Sequence, residues 1–150
     1  LLQGALLFVI ALPFLLINKS SAQTLYSLGL LDFVGLAVWI LGFVFESVGD
    51  SQLAKFIKNP ENKGKLMQGG LWKYTRHPNY FGEVTMWWGI WIISLSASAV
   101  FWSVISPITI TFLILKVSGI PMLEKKMEEN PEFAEYKKRT SVFVPWFPKT

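Results

Sequence analysis

Apolar residues in this chain are clumped rather than scattered. Four runs, roughly Leu1–Ile17, Leu28–Val48, Phe81–Ala97 and Val100–Ile120, are broken only by the charges Asp32, Glu46, Glu83 and Lys116. Each is close to the length a helix needs to cross the hydrocarbon core of a bilayer, so the pattern predicts about four transmembrane helices. Pro13 interrupts the first run, and a kink is expected there rather than an end, because membrane helices tolerate proline where neighbours re-satisfy the freed carbonyl. Ser20–Ser27 reads as a polar turn. In the second run Gly35 and Gly42 share one face, where small residues let helices approach, and Gln52, Leu53 and Phe56 suggest continuation beyond Val48. Asn59–Gly70 is rich in turn formers and leads into Leu71-Trp72-Lys73-Tyr74, whose aromatics suit headgroup depth; a loop along the membrane surface is predicted. Pro78 fits the first turn of the third helix. The fourth run contains Pro107 and ends at Ser118-Gly119-Ile120-Pro121. Beyond it Glu124, Lys125, Glu128 and Glu129 alternate with Leu123 and Met127 in an amphipathic segment, and Pro145-Trp146-Phe147-Pro148 forms an interface anchor. The expected fold class is all-α, a polytopic single transmembrane domain over residues 1–150 with an amphipathic C-terminal segment.

Composition agrees with this reading. A hydrophobic fraction of 52%, seven Trp and a mean hydropathy of +0.42 do not describe a compact water-soluble domain. The absence of Cys, with His77 the single histidine, removes disulfides and Cys- or two-His-based zinc motifs. The chain opens on Leu with no basic n-region, so it reads as a piece of a longer protein rather than one opening with a signal peptide.

The net charge of +4 is sided. Lys55, Lys58, Lys63, Lys65, Lys73 and Arg76 lie between the second and third runs, and Lys125, Lys126, Lys137, Lys138, Arg139 and Lys149 follow Pro121. The opposite connections hold Lys19 alone, twelve basic residues against one. The positive-inside rule then places loop 49–80 and the tail in the cytoplasm. With the charge explained by orientation and no nucleic-acid-binding motif present, membrane lipid is the expected partner and nucleic acid is not.

Ionisable residues inside membrane helices are costly and therefore candidates for function. Asp32 and Lys116 sit near helix ends and can snorkel. Glu46 is deeper, and Asp50, four residues on, shares its face if the helix continues. Two acids at that spacing need a partner, either donors on a bound ligand or nearby Lys55, Lys58 and Arg76; a salt-bridged helix end is the alternative. Asn79 and Glu83 share a stripe of the third helix, while Gly82 and Gly89 admit a neighbour. Arg76 just before that helix can clamp a phosphate, with the helix N-terminus adding partial positive charge. A surface cluster touching lipid headgroups is the competing reading. No Ser or Cys stands in partnership with His77, so there is no triad.

The block Arg76-His77-Pro78-Asn79-Tyr80-Phe81-Gly82-Glu83, preceded by Gly70-Leu71-Trp72 and Asp50-x-Gln52-x3-Phe56, resembles the C-terminal half of steroid 5-alpha-reductase-like membrane proteins. Gly119-Ile-Pro-Met-Leu-Glu124, Tyr136-x2-Arg139-Thr140 and Phe143-x-Pro145 are similar as well. The wider superfamily includes sterol C14/C7 reductases and isoprenylcysteine carboxyl methyltransferases, which share the Arg-His-Pro core. Asn79 and Glu83 favour the reductases. The resemblance implies NADPH as cofactor, bound by a set comprising Glu46, Asp50, Arg76, His77, Asn79, Tyr80, Glu83, Glu124 and Tyr136. Within it, Asp50 and Glu83 would hold ribose or nicotinamide groups, Asn79 the carboxamide or a phosphate, and Arg76 a phosphate. Glu46 stands where steroid 5-alpha-reductases have an amide, and Ile57 stands where they have a basic residue.

The implied activity is reduction of a carbon–carbon double bond in an apolar, steroid-like or polyprenyl enone. The cofactor carries the hydride, and a Tyr or acid must stabilise the carbonyl oxygen. In the resembled reductases that donor lies in the N-terminal half, so no catalytic acid is assigned; Tyr80 and Tyr136 are read as packing or cofactor contacts. The alternative is a methyltransferase using S-adenosylmethionine, whose sulfonium prefers aromatic faces and carboxylates. A third reading is a membrane binding or scaffold protein without turnover.

Overall fold

The computed structural model describes residues 2–21, 28–98 and 100–149. Residues 22–27 of the expected polar turn, and Ala99 in the second connection, lie outside the described residues. The chain is all-helical: α1 (Leu2–Ser21), α2 (Leu30–Lys58), α3 (Pro78–Ser98), α4 (Ile105–Phe112), α5 (Ile120–Met127) and α6 (Phe133–Arg139). Among the described residues there is no strand, only a single parallel bridge between Thr75 and Ser141.

Among the described residues three segments are long and apolar enough to cross a membrane, Leu2–Lys19, Leu30–Lys58 and Phe101–Met127. Helix α3 spans 21 residues, about 31 Å of rise, so it has the length. Asn79 and Glu83 sit in its first turns, with Trp87, Trp88 and Trp91 further on. Helix α1 runs through Pro13 without ending. Helix α2 continues to Lys58, which puts Glu46 and Asp50 one turn apart on a single helix. The fourth run is less regular than its hydropathy predicts. A 3-10 turn at Phe101–Val104 leads into α4, a π turn follows over Leu113–Val117, and the chain breaks at Ser118–Gly119 before α5. Gly119 is required at this break, because a Cβ there would lie 2.6 Å from the Ile114 carbonyl oxygen.

The chain divides into two compact units, Leu1–Gly42 with Val84–Leu113, and Phe43–Glu83 with Ile114–Thr150. In the first, α2 and α3 meet through glycine: a Cβ on Gly35 would lie 2.7 Å from Gly89 O, and one on Gly89 2.7 Å from Trp39 N. Phe14 packs edge-on against Trp87 with centroids 5.8 Å apart, and Ser106 Oγ donates to Ile10 O at 2.6 Å. Asp32 does not snorkel. It is buried, and its Oδ2 accepts from Gly29 N at 2.8 Å and Ser96 Oγ at 2.6 Å, which satisfies the opening of α2. Lys116, in the π turn, is exposed.

The core of the second unit gathers at the junction of loop, α3 entrance and tail. Trp72, Phe133 and Tyr136 are buried there, and Phe81 packs between Phe45 and Phe143 at centroid distances of 5.0 and 5.7 Å.

Candidate functional site

The residues of the implied cofactor-binding set, from Glu46 to Tyr136, all lie in the second unit, in two groups. The first is a ring of charge around Arg76 and His77. Pro78 opens α3, so the two preceding residues enter the helix from a tight turn in which Thr75 Oγ1 accepts from His77 N at 3.2 Å and donates to Phe143 O at 2.8 Å. Both residues are buried, Arg76 to 5% exposure and His77 to 0%. Arg76 Nε donates to Glu124 Oε1 at 2.8 Å, and Arg76 Nη1 donates to Thr140 O at 2.6 Å and Lys137 O at 3.2 Å. His77 Nε2 lies 3.0 Å from the same Glu124 oxygen, while its Nδ1 is buried with no hydrogen-bond partner. Tyr80 stacks on the His77 ring at 5.6 Å.

Tyr136 belongs to the same scaffold. Its hydroxyl donates to Trp72 O at 2.5 Å, and Trp72 Nε1 donates to Gly49 O at 3.1 Å, tying α6 through the 3-10 turn Gly70–Lys73 to α2. Burial pushes the Tyr136 hydroxyl above its ordinary pKa, with the Arg76 charge opposing. Gln52 secures the same turn: its Oε1 accepts from Leu71 N at 2.9 Å, and Gly70, at φ +58°, is the residue whose Cβ would collide with the Gln52 amide.

The second group is acidic. Glu46 and Asp50 from α2 face Asn79 and Glu83 from α3. Asn79 Nδ2 donates to Asp50 Oδ1 at 3.1 Å, and Asn79 Oδ1 accepts from Tyr80 N at 3.0 Å. The carboxylates of Glu46, Asp50 and Glu83 lie within range of one another's charge. Glu46 Oε2 is buried with no hydrogen-bond partner. This stripe is therefore rich in acceptors and suited to a ligand that brings N–H, O–H or positive charge. Tyr80, Gly119 and Lys126 help line a cavity of about 170 Å³ to which none of the stripe residues contributes.

Two features escaped the sequence reading. Glu124 serves as joint partner of Arg76 and His77 across nearly fifty residues of chain, and the Thr140 and Lys137 carbonyls complete the Arg76 environment. A signal was present: an Arg-His pair ahead of a helix-opening proline needs a counter-charge once buried, and Glu124 is the acid just after the Gly119-Ile120-Pro121 helix start.

Residues 1–140 match a family described as "Protein of unknown function (DUF1295)". The chain belongs to the DUF1295 family. This DUF1295 protein is also similar to 3-oxo-5-alpha-steroid 4-dehydrogenase 1 of Rattus norvegicus, 27% identical over 75% of the chain and 40% of the relative. The Bos taurus protein of that name is 30% identical over the same shares. A "Probable O-methyltransferase ustE" of Ustilaginoidea virens is 38% identical over 55% of the chain and 28% of the relative. The likeness to steroid 5-alpha-reductase-like proteins thus rests on more than the Arg76–Glu83 block. The chain spans about two fifths of the length of the steroid dehydrogenases it matches. No solved structure matches significantly.

Proposed function

We propose that this DUF1295 chain is the cofactor-binding part of a membrane-embedded oxidoreductase that uses NADPH to reduce a carbon–carbon double bond of an apolar, steroid-like or polyprenyl enone. The observation that carries the reading is the acceptor-rich stripe of Glu46, Asp50, Asn79 and Glu83, with its buried, unpartnered Glu46 oxygen. Ribose hydroxyls and a carboxamide NH2 are the donors such a stripe would satisfy. Asp50, already aligned by Asn79, and Glu83 would hold these groups. Lys55 and Lys58 in the last turn of α2, and Lys126 beside Tyr80, are the cations for phosphates. Any contact of Arg76 with a phosphate would be made in addition to its bonds to Glu124, Thr140 and Lys137.

The bound cofactor supplies the hydride. The protein's part is to orient and to exclude water. Arg76, His77 and Glu124 lock the entrance of α3, which fixes Asn79 and Glu83 on their stripe. Tyr136 keeps its proton on the Trp72 carbonyl and acts as a positioning residue, not a proton donor to substrate. We further propose that loop 49–80 and the tail face the cytoplasm; because the chain has no Cys, single cysteines introduced at Lys63 and Lys149 would report the side by labelling.

A second reading has its own support. Carboxylates within range of one another's charge also suit a sulfonium or amine, and one relative is named an O-methyltransferase. Thermal denaturation of the detergent-solubilised full-length protein separates the two. NADPH is expected to raise the midpoint, and Asn79→Ala and Glu83→Gln to weaken its binding by about tenfold each, the worth of about one lost hydrogen bond. Stabilisation by S-adenosylmethionine alone would replace the reductase reading with the methyltransferase one. Response to neither would favour a binding or scaffold protein.

A further inference from the structure

Beyond α6 the tail has no regular structure, yet backbone bonds fasten it. Arg76 N donates to Ser141 O at 2.9 Å, Trp146 N to Tyr74 O at 3.0 Å, and Lys149 N to Arg139 O at 2.9 Å. Phe147 meets the Tyr74 ring edge-on, with centroids 6.2 Å apart. A segment tied down in this way would ordinarily turn its large apolar side chains inward. Here Trp146 is 69% and Phe147 77% exposed, and Val142 and Val144 are exposed beside them. An ordered backbone that holds contiguous apolar groups outward marks a surface that meets a partner.

The charge around these side chains identifies the partner. Trp146 and Phe147 share the wall of a groove of about 450 Å³ with Lys137, Lys138, Arg139 and Lys149, and no acid lines it. Lys137 does reach Glu128 at 3.3 Å and Lys138 reaches Glu135 at 3.8 Å, but these are exposed pairs of little worth. Arg139 donates to Gln68 Oε1 at 2.5 Å. Indole and phenyl rings set among lysines suit the boundary between acyl chains and anionic headgroups, where rings take the apolar side and ammonium groups meet phosphate.

We propose that this groove docks on an anionic phospholipid leaflet, with Trp146 and Phe147 entering the headgroup layer and Lys137, Lys138 and Lys149 binding lipid phosphate. The docking needs neither cofactor nor substrate and stands apart from the reaction proposed above. It would also steady the entrance of α3, since Arg76 N and Thr75 Oγ1 bond to the carbonyls of Ser141 and Phe143 in the same segment.

The test is thermal denaturation of the detergent-solubilised full-length protein titrated with short-chain phosphatidylglycerol, short-chain phosphatidylcholine or glycerol phosphate. Phosphatidylglycerol is expected to stabilise at concentrations on the order of tenfold lower than phosphatidylcholine. K137Q/K138Q/K149Q should erase that preference, and W146S/F147S should weaken the response to both lipids. Equal responses of the native protein to the two lipids, or a preference surviving the lysine substitutions, would overturn the proposal. Glycerol phosphate matching phosphatidylglycerol would make the groove a site for a soluble phosphate and overturn it equally. Should the lysine variant not fold, high salt on the native protein takes its place: the preference should vanish, and its persistence counts against docking.

Discussion

Arg76 and Glu124 form a nearly buried ion pair, Nε to Oε1 at 2.8 Å, and the same carboxylate oxygen lies 3.0 Å from His77 Nε2. One acid thus answers two neighbouring residues at the entrance of α3. Removing a partner from a buried pair leaves an uncompensated charge, which costs more than the pair itself contributes. Glu124→Ala is therefore expected to destabilise by about 3 kcal/mol, and Glu124→Gln by less, because the amide oxygen keeps one acceptor. Replacing both partners, R76M/E124M, should cost less than the sum of the single changes. Thermal midpoints of the native protein, R76M, E124M and R76M/E124M check this, and strict additivity would show that Arg76 and Glu124 are not coupled.

Tyr136 ties stability to alkaline pH. Burial raises the pKa of its hydroxyl above the unfolded value, so the folded state binds the proton more tightly than the unfolded chain does. The stabilisation is fully present below the unfolded pKa of about 10 and is lost as pH rises beyond it. Tyr136→Phe forfeits the bond to Trp72 O, about 1 kcal/mol at neutral pH. Since the variant has no hydroxyl to ionise, the gap between native protein and variant should shrink as pH climbs past about 10. Denaturant midpoints over that range measure it; a constant gap would mean that Tyr136 does not sense pH.

What could be read in advance follows the range of the physics. The hydrophobic runs marked the helices because burial in lipid imposes length and composition locally, and the reach of α2 past Val48 was legible in Gln52, Leu53 and Phe56. Pro78 marked a helix start through its missing N–H, and Asn79 and Glu83 fell on one stripe because one helix carries both. By contrast, the Glu124 carboxylate under Arg76 and His77, the carbonyls of Lys137 and Thr140, and the Tyr136–Trp72 bond join segments far apart in sequence, where no periodicity operates. The π turn at Leu113–Val117 escaped for another reason: hydropathy does not register how a helix is wound. The burial of Asp32 was not legible either, because its partner, Ser96, lies on a different helix.

Glycine at the α2–α3 crossing makes a prediction in the first unit. A Cβ on Gly89 would stand 2.7 Å from both Gly35 O and Trp39 N, backbone atoms that cannot rotate away. Gly89→Ala must push the helices apart and should cost about 1–3 kcal/mol, the usual range for overpacking. Gly4→Ala, which has open space around its Cβ, is the control and should be close to neutral. Thermal midpoints in detergent compare the two.

Asn79 and Asp50 offer the sharpest test of the acidic stripe. Asn79 Nδ2 is the donor aimed at Asp50 Oδ1, so Asn79→Asp exchanges a hydrogen bond for a fourth carboxylate among Glu46, Asp50 and Glu83. The pair is exposed, and the stability loss should be modest, about 1 kcal/mol. The swap D50N/N79D restores one donor facing one acceptor and should recover that loss. Ligand binding should behave differently, because the swap moves the negative charge from α2 to α3. If Asp50 holds a cofactor hydroxyl, the swapped protein regains its midpoint yet binds NADPH about tenfold more weakly than the native chain. Recovery of both properties would show that the stripe contributes only net charge, while recovery of neither would place Asn79 in the packing of the α3 entrance.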